Sequence, residues 1–131
     1  MELLTREQIL KADDSQERLV EVPEWGGAVK VRGMTGRERD RFEESCVEGK
    51  GKNARVNLKN LRAKLVALSC VDDEGNRIFT ERDVEELSAK SASALNRIFQ
   101  VAQDLSGITS EDVDELTKNS EKTTLGDLFS D

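Results

Sequence analysis

The chain reads as an α+β fold, a mainly α-helical single domain of five or six helices with a β-hairpin near its N-terminus. Three observations predict it: two short alternating β-runs broken at Pro23 and at Gly26-Gly27, helix starts written in capping side chains, and aliphatic stripes at helical spacing. Val20 and Val22 share one face of the first run and Val29 and Val31 one face of the second, the period of half-buried strands. Pro23 has no N–H to give a ladder and so closes the first strand, while Gly26-Gly27 tolerates the positive φ of a return turn. Trp25, the sole Trp, is thereby placed at the turn tip. Its ring either folds back over the hairpin or projects as a partner anchor, and the high average burial of Trp favours the first.

The helices follow in order. Thr5-Arg-Glu-Gln8 has the capping-box pattern and opens a short helix, Arg6 to Ala12, with Leu4, Ile9 and Leu10 as candidate packing contacts. Thr35-Gly-Arg-Glu38 opens a second, Gly36 to Val47, whose narrow apolar stripe is Phe42, Cys46 and Val47. The glycines and charges of Glu48 to Asn53 mark a flexible surface connection. Leu58, Leu61, Leu65 and Leu68 then recur at three-and-four spacing, which makes the third helix the clearest core element. Cys70 to Phe79 reads as a small hairpin or extended turn with Gly75-Asn76 at the bend. Thr80-Glu-Arg-Asp83 starts a helix from Glu81 to Ser88 carrying Val84 and Leu87. The next helix, Ala92 to Leu105, is strongly amphipathic through Leu95, Ile98, Phe99, Ala102 and Leu105, with Gly107 as its C′ residue and Ile108 as the accompanying apolar contact. A last helix is predicted from Glu111 to Lys118 behind the N-cap Ser110. Residues 1–118 thus form the expected domain and 119–131 a flexible tail, polar apart from Leu125, Leu128 and Phe129.

Composition narrows the function. Hydrophobic and charged residues each make up 36% of 131 residues, with five aromatics and no Tyr, so the core must be small and aliphatic. No apolar run approaches the ~18 residues of a membrane span, and the N-terminus lacks the basic-then-apolar order of a signal peptide, so the expected location is the cytoplasm. The chain has no histidine, which removes the commonest general base and metal ligand, and its two cysteines, Cys46 and Cys70, match no zinc or disulfide spacing. No catalytic, cofactor or metal residues are assigned, and an enzyme is not expected. Gly49-Lys-Gly-Lys52 fails as a phosphate loop, because Cys46 stands where the first Gly belongs and Asn53 where Ser or Thr belongs. An EF-hand alignment on Gly75 fails because Cys70 falls at the first ligand position and Arg77 at the usually apolar one.

Charge is segregated along the chain. Lys30 to Lys64 carries eleven basic residues against five acidic, whereas Asp104 to Asp131 carries eight acidic against two basic. The two segments could attract each other, or the basic one could face a polyanion. Both signs are mixed around one helix from Arg37 to Glu44, and stacking aromatics are missing there beyond Phe42, so a nucleic-acid partner is not favoured.

A short leading helix, the hairpin Val20-Glu-Val-Pro-Glu-Trp-Gly-Gly27 ending Val29-Lys-Val-Arg32, and Met34-Thr-Gly-Arg-Glu-Arg-Asp-Arg-Phe-Glu43 opening a helix together resemble the tail assembly chaperones of long-tailed bacteriophages and prophages. The likeness continues through Asp72-Asp-Glu-Gly-Asn-Arg-Ile-Phe-Thr80, Asp83-Val-Glu-Glu-Leu87 and Leu95-Asn-Arg-Ile-Phe99, and spans roughly Leu3 to Asn119. The resemblance implies a protein that binds the long, aggregation-prone tape measure protein, keeps it soluble, helps recruit tail tube subunits, works in the host cytoplasm and is absent from the finished virion. It also implies a longer form made by ribosomes slipping back one base, and Thr117-Lys118-Asn119 can be encoded by a run of adenines that permits such a slip. A structural tail or head-completion protein is the competing reading, and self-association is open. Candidate partner-binding residues are Trp25 at the hairpin tip, Leu95 and Phe99 on the amphipathic helix, with core packing the favoured role of Phe99, and Leu128 and Phe129 in the tail.

Overall fold

A computed structural model of the protein describes residues 1–49 and 51–108. Strands β1 (Glu17–Val22) and β2 (Gly27–Arg32) pair antiparallel, with Val20 opposite Val29 and Val22 opposite Gly27. The predicted hairpin is therefore present, and Pro23–Trp25 forms a single 3-10 turn at its tip, closed by Gly26 at φ 73°. Only glycine takes that left-handed value without cost. The ring of Trp25 is half-buried against the core, as the burial argument expects.

A third strand joins this sheet. Cys70 and Val71 form β5 (Cys70–Val71), which runs antiparallel to β2 with Val31 opposite Cys70 and gives the order β1-β2-β5. The turn expected after it is there too: Gly75 N–H donates to the Asp72 carbonyl, the Asp72 side chain accepts from the N–H of Glu74 and of Asn76, and Val71 bridges to Arg77.

The sheet packs on one helix, Ala92–Leu105, and the helices over 36–45, 61–69 and 84–88 are layered behind it, the middle one of these in contact with the other three helices. The capping box at Thr35 is complete in both directions and opens α2 (Gly36–Ser45), which buries Phe42 and, at its C-cap, Cys46. The segment Glu48 to Asn53, expected to be a surface connection, links two short strands that the sequence did not show, β3 (Val47–Glu48) and β4 (Arg55–Val56), with Glu48 itself in β3 and a 3-10 turn at Gly51–Asn53. Helix α3 (Leu61–Ser69) begins three residues later than the leucine spacing suggests, because Asn60 turns left-handed at φ 60°, leaving Leu58 half-buried in the preceding turn. Its residues Leu65, Val66, Ala67, Leu68 and Ser69 are all buried.

The Thr80 box is present, but the first turn behind it is 3-10 and α4 (Val84–Ser88) follows, burying Leu87. Helix α5 (Ala92–Leu105) has the predicted bounds, is capped by the Ser91 hydroxyl accepting from Ala94 N–H, and buries Ala94, Leu95, Ile98, Phe99 and Ala102. It ends in a Schellman motif: Gly107 N–H donates to the Asp104 carbonyl and Ile108 N–H to the Gln103 carbonyl, with Gly107 at φ 72°.

Three contacts tie the hairpin and the residues that follow it to α5 and its C-cap. Gly33 passes so close beneath the end of the helix that a Cβ there would overlap the Leu105 carbonyl, and Met34 N–H donates to Ser106 Oγ at 2.9 Å. At the opposite end of the hairpin, Arg97 Nε donates to both carboxylate oxygens of Glu24 at 3.0 and 3.1 Å. The Glu24 carboxyl is held below its ordinary value, first by a backbone hydrogen bond at Glu24 and then by Arg97. The predicted helix Glu111 to Lys118, the tail from residue 119 and its Leu125, Leu128 and Phe129 lie outside the described residues.

Candidate interaction surfaces

The N-terminal arm departs most from its sequence reading. Helix α1 (Arg6–Lys11) forms with a complete capping box, Thr5 Oγ1 accepting from Gln8 N–H and Gln8 Oε1 from Thr5 N–H. Leu4 and Ile9 hold the positions of a hydrophobic staple around that cap. Yet α1 buries no residue. Leu4, Ile9 and Leu10, expected to pack inward, are 66%, 57% and 66% exposed, and Leu3 is 95% exposed. The correction has a physical origin: apolar spacing shows which side chains share a face, and it carries no information on whether the covering surface belongs to the same chain. A six-residue helix gains too few backbone bonds to be stable in isolation, so it draws its stability from whatever it packs against. Covering its apolar side chains is worth roughly 1.5–3 kcal/mol for each one fully buried.

Leu19 extends the same character onto the sheet. It lies on the outer face of β1, opposite Lys30, and is 69% exposed. A cleft of about 330 Å³ opens elsewhere, where Leu58, Leu61 and Ala63 meet Leu95 and Phe99. Two of the sequence-predicted partner-binding residues are therefore brought together here, but as core side chains: Leu95 is 5% and Phe99 6% exposed. Only their outer edges reach the cleft, and the Arg62 guanidinium stands over the Phe99 ring at 5.5 Å from its centroid. Trp25 belongs to the hairpin tip against α5, away from that cleft's lining. Leu128 and Phe129 lie outside the described residues.

Neither thiol is poised for chemistry. Cys46 and Cys70 are both free and fully buried, and burial pushes the Cys46 thiol up and the Cys70 thiol up to about 12. A thiol held protonated is a poor nucleophile and a poor metal ligand. Among the described residues no three metal-binding side chains come together, and no helix is long and apolar enough to cross a membrane.

The described residues present a capped apolar arm outside the core, a hairpin tip and a shallow cleft. The sequence profile of the phage tail assembly chaperone family matches residues 5–119. The chain belongs to that family. The solved structure of the bacteriophage HK97 tail assembly chaperone shares its fold, with a TM-score of 0.52 at 20% identity over 76% of this chain and 94% of that one. No curated protein matches the sequence. For a tail assembly chaperone, the exposed arm residues are the ones that sequence reasoning misplaced; the signal that could have flagged them is the polar stretch Asp13-Asp14-Ser15-Gln16, which separates them from the first strand.

Proposed function

We propose that this tail assembly chaperone binds the tape measure protein before the tail tube forms around it, keeps that client soluble, and helps bring tail tube subunits to it. The work is done in the host cytoplasm, and the chaperone does not enter the finished virion. The observation that carries the reading is the arm: Leu3, Leu4, Ile9 and Leu10 stand on a capped element that the fold itself leaves uncovered. An exposed apolar set on an arm outside the core suits a client with repeated apolar segments, because each contact is weak and easily exchanged. The outer edges of Leu95 and Phe99 and the half-buried Trp25 are secondary contact points within the same proposal.

Co-expression with the tape measure protein encoded alongside it tests this reading. The client's yield in the cleared lysate should rise, and the two proteins should co-purify. Unchanged yield together with no co-purification would overturn it.

A further inference from the structure

Strand β1 is the outer edge of the three-stranded sheet, whose order is β1-β2-β5. Its pairing with β2 runs from Glu17 to Val22 without a bulge, and no proline lies within it. Gly33 N–H donates to the Gln16 carbonyl, which fixes the phase of the ladder: Arg18, Val20 and Val22 exchange hydrogen bonds with β2, while the N–H and C=O of Glu17, Leu19 and Glu21 point away from it. Those outward groups have no partner among the described residues. An edge of this kind is a template for one more strand, and natural sheets commonly block it with a proline, a bulge or a cover. This one stands open, with Leu19 exposed at its centre.

The side chains around the edge select the strand. Glu17, Leu19 and Glu21 share the outer face. Glu17 is drawn to Lys30 at 3.4 Å, and Glu21 has no ion-pair partner among the described residues. We infer that β1 takes up an extended segment of a partner protein as an antiparallel fourth strand, one that sets an apolar residue opposite Leu19 and Lys or Arg opposite Glu21 and Glu17. Antiparallel addition continues the sense of both existing pairings and lets each outward residue exchange two hydrogen bonds with one residue of the partner. A second copy of the chain fits this edge poorly. Two β1 strands paired about Leu19 set Glu17 against Glu21, and paired about Arg18 they set two guanidinium groups together. Paired about Val20 they set Glu17 against Pro23, which has no N–H to give. The apolar arm joins β1 through residues 12–16, so the arm and the edge lie on one continuous stretch of chain and a single client segment can meet both. For the identity of that partner the inference rests on the chaperone reading. Main-chain bonds tolerate variation in a client's sequence, and the alternating basic and apolar positions supply the selection.

The full-length, isotope-labelled protein tests this with the peptide acetyl-Thr-Lys-Val-Leu-Thr-Lys-Thr-amide at millimolar concentration. No client is needed, so a negative result leaves the co-expression test of the chaperone reading standing. Hydrogen exchange at the amides of Glu17, Leu19 and Glu21 should slow about tenfold once the peptide is about nine-tenths bound, in alternation with Arg18, Val20 and Val22, which β2 already protects. The same peptide N-methylated at its leucine and both lysines cannot form those bonds and should leave exchange unchanged. Glu21→Lys should weaken binding of the unmodified peptide about threefold or more. No slowing with the unmodified peptide, equal slowing with the methylated one, or an unchanged affinity of the Glu21→Lys variant would overturn the inference. So would slow exchange at these three amides in the free protein that dilution abolishes, which would assign the edge to a second copy.

Discussion

Leu65→Ala should lower the free energy of unfolding by about 2–5 kcal/mol, the cost of emptying a close-packed site. Leu65 is 1% exposed and sits at the centre of α3, the helix that packs on both α4 and α5. A domain of this size loses several degrees of melting temperature for each kcal/mol, so the variant should melt at least ~5 °C below the wild type. Leu19→Ala is the matched control. Leu19 stands 69% exposed on the outer face of the hairpin, and its truncation should fall within about ±0.5 kcal/mol. Urea denaturation of both variants checks the pair. A small effect at Leu65, or a larger one at Leu19, would contradict the assignment of the core.

Alkaline pH should destabilise the fold through Cys70. An ordinary thiol titrates near 9.0, and burial pushes this one up to about 12, so from pH 9 to pH 12 the unfolded chain has lost a proton that the native state retains. Fewer protons on the unfolded state means that stability falls as pH rises. The stability is fully present below pH 9 and declines by up to about 1.4 kcal/mol per pH unit above it. Cys46, raised by burial and partly offset by Lys64, acts in the same direction. The chain has no Tyr whose titration would obscure the slope. Urea titrations between about pH 8 and pH 11 should show the decline, and Cys70→Ala should flatten it while lowering stability at neutral pH. An identical slope in the variant would show that another group is responsible.

Much of the fold is legible because its signals are local. Each Thr of the three capping boxes meets its partner three residues on, and period-2 Val residues with Pro and Gly at the turn define a hairpin without help from the rest of the chain. The bounds of α5 are likewise set by its own stripe and by Gly107. Strand β5 is not legible, since two residues following a helix show no alternation, and their pairing with Lys30 and Val31 is a contact across forty residues of sequence. The β3–β4 ribbon hides for the same reason: two-residue strands are too short to show a period. For the binding surface the limit is different. The arm's apolar residues are plain in the sequence, but only the packing shows that the core is complete without them. Leu95 and Phe99 illustrate the reverse, an amphipathic face that the fold uses for itself.

The central claim, that a tail assembly chaperone holds its client through an apolar arm outside its own core, is tested most directly by Leu4→Ser/Ile9→Ser/Leu10→Ser. These side chains contribute nothing to the core, so the variant's melting temperature should match that of the wild type. In co-expression with the tape measure protein it should lose most of the gain in soluble client and most of the co-purified complex. A variant that retains both would contradict the account, and so would one that loses them only because it unfolds.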